Sequence, residues 1–101
     1  MPNATWKEAE RRVARVLGGR RVGPTGRAGA DVVVGDWLVV ECKHRETLPQ
    51  WIERALGQAR AAAGPRRLGI ALLHERGRHD SLVVMSLSDF AEWFGDGAGR
   101  E

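Results

Sequence analysis

Asp31, Glu41 and Lys43 stand in the pattern D-x9-E-x-K, inside the stretch "DVVVGDWLVVECKHR". Two carboxylates and an ammonium at this spacing could hold a divalent cation and a water beside a phosphodiester. Bringing two carboxylates to about 4 Å costs roughly 4 kcal/mol at a protein-surface dielectric, and a cation between them reverses that sign. Mg²⁺ suits such a pair, because it takes hard oxygen ligands from one or two carboxylates and keeps positions for water and phosphate. Lys43 is a compact ammonium that could orient the attacking water or screen the phosphate. The competing reading of the same residues is structural. Asp31 would cap a turn, and Glu41 with Lys43 would be an ion pair at a solvated strand end.

The elements that position these residues can be read around them. Side chains alternate along a strand, so Glu41 and Lys43 share one face and Cys42 takes the other. Val32–Val34 and Trp37–Cys42 read as two strands joined at Gly35-Asp36. A two-residue turn would pair Val34 with Trp37 and send Asp31 to the face away from Glu41. A three-residue loop from Gly35 to Trp37 pairs Val34 with Leu38 and Asp31 with Glu41. The site therefore requires that longer loop, a bulge, or a bend at Asp31.

Upstream, Thr5 to Leu17 reads as a helix with Trp6, Ala9, Val13, Val16 and Leu17 as its apolar stripe, ended by Gly18-Gly19. Thr5-x-x-Glu8 has the form of a capping box, which occupies Glu8 and leaves Glu10 at the border of the stripe. A short Arg-Arg-Val strand and a Gly-rich loop, "RRVGPTGRAGA", lead to Asp31. Downstream, Pro49 to Ala63 forms a second helix stopped by Gly64-Pro65. Leu68–Leu73 and Leu82–Leu87 read as strands about a polar turn, and Ser88-Asp89 caps a short helix ending at Phe94. The expectation is one α/β domain over residues 1–94 in the order α-β-β-β-α-β-β-α, with a flexible tail at 95–101. The strand–helix–strand step from Trp37 to Leu73 implies a right-handed crossover to a parallel strand, hence a mixed sheet flanked by helices.

Composition narrows the partners. Of the sixteen basic residues in 101, fourteen are Arg, and the net charge is +3. Arg is the bidentate phosphate binder, so this usage suits nucleic acid; a GC-rich genome would produce the same count on any surface. Arg11, Arg20, Arg21, Arg27 and Arg45 flank the candidate site in sequence and are the expected phosphate contacts. Cys42 is the single cysteine, which excludes internal disulfides and multi-cysteine zinc sites. It packs as a small core residue, or turns its backbone carbonyl toward a metal. No apolar run is long enough to span a bilayer, and "MPNATWKEAE" lacks an apolar signal core, so a cytoplasmic protein is expected. Trp51, Ile52, Leu56, Phe90, Trp93 and Phe94 pack the core or a homodimer interface.

Together, "ADVVV" and "VVECK" resemble the PD-(D/E)xK nuclease superfamily. "ERRVARVL", "RRVGPTGRAGAD" and "GQARAA" extend the likeness to the archaeal-type Holliday junction resolvases and their phage relatives. The resemblance implies a restriction-endonuclease-like fold and a homodimer that cuts branched DNA with Mg²⁺, or Mn²⁺ in its place. It implies residence in the cytoplasm, the host's if the chain is phage-encoded. Asp31 and Glu41 would hold the ion, with Glu10, followed by Arg11, completing the site. Lys43 would act on the water and Gln58 would hydrogen-bond the site. Thr25 stands where that family often has Ser in the Gly-rich loop, so a hydroxyl is kept. Ala30-Asp31 replaces the family's Pro-Asp. Other nucleases of the superfamily (nickases, flap-cutting or restriction-type enzymes) and a non-catalytic DNA-binding module fit the same motifs.

Overall fold

Three consecutive β-branched residues, Val32 to Val34, favour extended backbone. In the computed structural model of the chain, which describes residues 5–22 and 31–95, they form the middle strand of a three-stranded sheet. The elements follow as α1 (Thr5–Leu17), β1 (Arg20–Arg21), β2 (Val32–Val34), β3 (Leu38–Val40), α2 (Gln50–Ala63), β4 (Ala71–Leu73), β5 (Leu82–Val84) and α3 (Leu87–Phe94). This is the expected order, and the protein is an α/β chain of three helices and small antiparallel sheets. It divides into two compact units, Met1–Arg45 with Phe94–Glu101, and Glu46–Trp93.

In the first unit α1 packs on β1 and β2. Its buried face is Glu10, Ala14 and Leu17, set against the buried Val32 and Val34. The apolar stripe expected along α1 is thus rotated toward Glu10, and Trp6 and Val16 are exposed. The rotation has a local cause. Gly19 passes so close to β2 that a Cβ there would lie 2.5 Å from the Val33 carbonyl oxygen, which lets the end of α1 settle onto the sheet. Gly18, with φ 73°, and the Gly19 N–H donating to the Ala14 carbonyl at 2.8 Å end the helix where expected. The Thr5 side chain, needed for the capping box, lies outside the described residues; Glu8 is exposed in the first turn.

β1–β2 and β2–β3 are antiparallel, with Val32 facing Val40, Val33 facing Val39 and Val34 facing Leu38. The hairpin loop is therefore the three-residue Gly35–Trp37, not the two-residue Gly35-Asp36. Gly35 opens the loop with φ 52°, a left-handed conformation that glycine adopts without steric cost.

The second unit holds α2, β4, β5 and most of α3. Every strand pairing among the described residues is antiparallel, and β4–β5 form a sheet separate from β1–β3. The expected parallel crossover, and with it a single mixed sheet, is not among these pairings. A hairpin between sequence neighbours closes a far shorter loop than a crossover does, and β4 pairs with β5. Both strands are shorter than read from sequence, at Ala71–Leu73 and Leu82–Val84. Before β4, Gly69 is pressed against α2, where a Cβ would meet the Ala59 carbonyl oxygen at 2.6 Å. α3 is capped two residues earlier than expected. Ser86 Oγ, not Ser88, accepts the Asp89 N–H at 3.1 Å, in the S-x-x-D form of a capping box.

Candidate active site

Asp31 is where β2 leaves regular pairing. Its N–H donates to the Val40 carbonyl at 2.8 Å although Val40 already faces Val32, so two successive residues meet one, as in a β-bulge. Its own carbonyl accepts the Val22 N–H at 2.9 Å. The kink aims the carboxylate along the opposing chain, where Asp31 Oδ2 accepts the Cys42 N–H at 2.7 Å. The three-residue loop is present, but the bulge sets Asp31 against Val40 and not in the expected pairing with Glu41, and Asp31 reaches the E-x-K segment at the Cys42 amide.

β3 ends at Val40, and Glu41 and Lys43 follow as exposed residues. Lys43 Nζ lies 3.1 Å from Glu41 Oε2, with both side chains more than half exposed. They share a side, as alternation requires, and they form the ion pair that the structural reading expects. Such a pair stabilises by only about 0–1 kcal/mol, so it yields readily to a better ligand.

Glu10 is the one buried charged residue among those described, 6% exposed. Arg21 Nε donates to its Oε1 at 2.8 Å. Burying a carboxylate without a partner is costly, and the guanidinium compensates for it. Arg21, expected at a phosphate, is therefore committed to Glu10. Burial first, then the charges of Asp31, Glu10 and Glu41, push the Cys42 thiol above its usual range, which disfavours the thiolate.

No three His, Cys, Asp or Glu side chains stand close enough to share a metal ion among the described residues. The donor set itself is of the right chemistry, three carboxylates supplying hard oxygens. Asp31 and Glu10 each use one oxygen in the bonds described and keep the other uncommitted among the described residues. Cys42 commits its N–H to Asp31, which leaves its carbonyl for other partners.

Of the other expected site residues, Arg11, Arg20 and Arg45 are exposed, and Arg45 Nη1 donates to the His44 carbonyl at 3.1 Å. Gln58 is exposed on α2, in the second unit. Thr25 and Arg27 lie outside the described residues. Trp51, Trp93 and Phe94 are exposed, and Ile52, Leu56 and Phe90 are half-buried. Two residues that the sequence reading left out are Arg12 and Arg15. With Glu8, Ala9, Arg11 and His44 they line a groove of about 490 Å³ on the first unit. The signal was available in the Arg spacing 11, 12, 15, which puts all three on adjoining helical faces.

Comparison with protein-family models, with curated proteins and with solved structures finds no match to this chain.

Proposed function

We propose that the chain is a Mg²⁺-dependent endonuclease of DNA, with a branched, four-way junction as its preferred substrate. The observation that carries the reading is the bend at Asp31. It turns a carboxylate onto the Cys42 amide, between Glu41 and Lys43, while Arg21 holds the buried Glu10 carboxylate on α1. A turn-capping aspartate needs no such detour.

In this reading Asp31, Glu41 and Glu10 hold the ion, with the Cys42 carbonyl as a further oxygen. Bound Mg²⁺ supplies an activated water and neutralises charge on the phosphate. Arg21 fixes the Glu10 carboxylate through its Nε bond. Lys43 leaves Glu41 to hold the attacking water, and the exposed Arg11, Arg20 and Arg45 meet phosphates. Exposed Trp51, Leu72, Leu82 and Val83 on the second unit offer apolar surface for a homodimer contact. A two-fold dimer would address the two symmetric strands of a junction. No helix among the described residues is long and apolar enough to cross a membrane.

A second reading, a DNA-binding module without catalysis, draws on the Glu41–Lys43 pair and on acids that do not converge. Cleavage of four-way, flap, nicked and linear DNA, with and without Mg²⁺, separates the two. Metal-dependent paired nicks in the junction are expected. Binding without cleavage under any metal would leave only the second reading, and equal cutting of all four DNAs would retire the junction preference.

A further inference from the structure

We infer that the groove on α1 lined by Arg11, Arg12, Arg15 and His44 is a track for a nucleic-acid backbone, distinct from the candidate residues Asp31, Glu41 and Glu10. The inference rests on the nucleic-acid part of the reading above and not on cleavage. Three observations converge on it. First, the lining holds three guanidiniums against one carboxylate, Glu8. Second, these guanidiniums are uncommitted. Arg21 is bonded to Glu10, Arg60 to Asp89, Arg78 to Glu75 and Arg67 to backbone carbonyls, whereas Arg11, Arg12 and Arg15 have no ion pair or hydrogen bond among the described residues. Third, all three are exposed on the face of α1 that does not pack on β2. Three exposed guanidiniums without a partner among the described residues, gathered along one groove, leave this row open to an external anion.

The occupant follows from spacing. Arg11 and Arg15 are one helical turn apart, about 6 Å along the axis. A nucleic-acid strand presents a phosphate every 3.4 Å or so of duplex axis, so flexible side chains at that separation can take different phosphates of one strand. A single small anion would use one guanidinium fork and leave the others unpaired. His44, which also lines the groove, belongs to the segment that carries Glu41 and Lys43. The row supplies backbone affinity without reading bases.

The test is equilibrium binding of a labelled linear duplex to the full chain in EDTA, over a salt series, where no cleavage occurs. The variants are Arg12→Gln/Arg15→Gln and its charge-keeping counterpart Arg12→Lys/Arg15→Lys, with thermal unfolding to confirm that both fold. Counterion release ties the slope of log K against log salt to about 0.9 per phosphate contact. The Gln pair should therefore lower the slope by roughly 2 and weaken binding about tenfold at moderate salt, while the Lys pair keeps the slope. An unchanged slope in the Gln pair overturns the inference, as does a wild-type chain that does not bind duplex. Loss in the Gln pair of adhesion to anionic vesicles, with duplex binding intact, would assign the row to a membrane surface and overturn it too. The outcomes separate from those of the nuclease reading. A chain that never cuts but loses duplex binding through Arg12 and Arg15 keeps the track and loses the enzyme.

Discussion

Removing the half-buried Arg21 should destabilise the first unit by stranding the buried Glu10 carboxylate. The Glu10 side chain is 8% exposed and that of Arg21 24%, with Nε and Oε1 2.8 Å apart. Truncating one partner of a fully buried pair costs about 3–5 kcal/mol, because the other charge is stranded. Arg21 is a quarter open to water, so solvent recovers part of that, and about 2–3 kcal/mol is the expected cost of Arg21→Met. For a chain of this size each kcal/mol moves the melting midpoint by roughly 4–8 °C. Glu10→Leu alone leaves a guanidinium that can swing to solvent and should cost about 1 kcal/mol. The double variant Glu10→Leu/Arg21→Met replaces the pair by apolar atoms and should be close to wild type, which implies a coupling of about 3–4 kcal/mol. Urea unfolding of the four proteins, with equal m-values as the check on a common unfolded state, measures it. A coupling under about 0.5 kcal/mol, or one abolished by molar salt, would mean a solvated surface pair and would refute the reasoning.

Other outcomes follow from the same geometry. Asp31→Asn keeps an acceptor for the Cys42 N–H and should stay within about 1 kcal/mol of wild type while losing cleavage; Asp31→Ala strands that amide and should cost about 1–3 kcal/mol in the same unfolding assay. Glu41→Gln should abolish cleavage and leave junction affinity unchanged or slightly higher, read by gel shift in Ca²⁺ or EDTA. Lys43→Arg should cut far more slowly than wild type despite its charge, since a planar guanidinium does not fit a compact ammonium's place beside a water; near-normal rates would reduce Lys43 to a source of potential. Because burial and three carboxylates raise the Cys42 thiol, less thiolate is present at any pH below about 9 than in a free cysteine. Iodoacetamide should therefore label Cys42 slowly, with the pH profile displaced upward, and faster in Asp31→Asn.

Which parts of this architecture could be read from residues alone depends on how local their causes are. Helix ends were legible because Gly18-Gly19 and Gly64-Pro65 act within one turn of themselves. The loop between β2 and β3 was legible as a pair of alternatives, since the period of two makes every register assign Asp31 to one face or the other. The partner of β4 was not. Whether a three-residue strand pairs with its neighbour or across a helix depends on loop entropy and packing that leave no mark at Ala71–Leu73. The face of α1 was misjudged for a related reason. Apolar periodicity weighs Trp6 and Val16 heavily, yet a carboxylate with a guanidinium eleven residues away was buried instead. Arg21 read as a phosphate ligand because its charge is visible in sequence and its partner is not. For the candidate site, spacing singled out the residues, whereas which of their oxygens are already taken depends on partners distant in sequence, as at Glu10 and Asp31.

The bulge at Asp31 has a consequence for how freely this site could change. Most side chains that hold a ligand are replaceable by a near relative, because the main chain beneath them is supported elsewhere. At Asp31 the amide, the carbonyl and the carboxylate each hold a different stretch, at Val40, Val22 and Cys42. Glutamate would carry the same charge, but its extra methylene would push the oxygen past the Cys42 amide or unseat the backbone from one of its other two anchors. Position 31 is therefore specified three times over, by backbone shape, by reach and by charge. A scan of substitutions there should perturb both folding and cleavage, in contrast to Glu41, whose exposed side chain sits on chain outside the sheet and whose changes should leave folding nearly untouched. The rigid half of the site and the adaptable half are separated by a single amide bond's worth of hydrogen bonding.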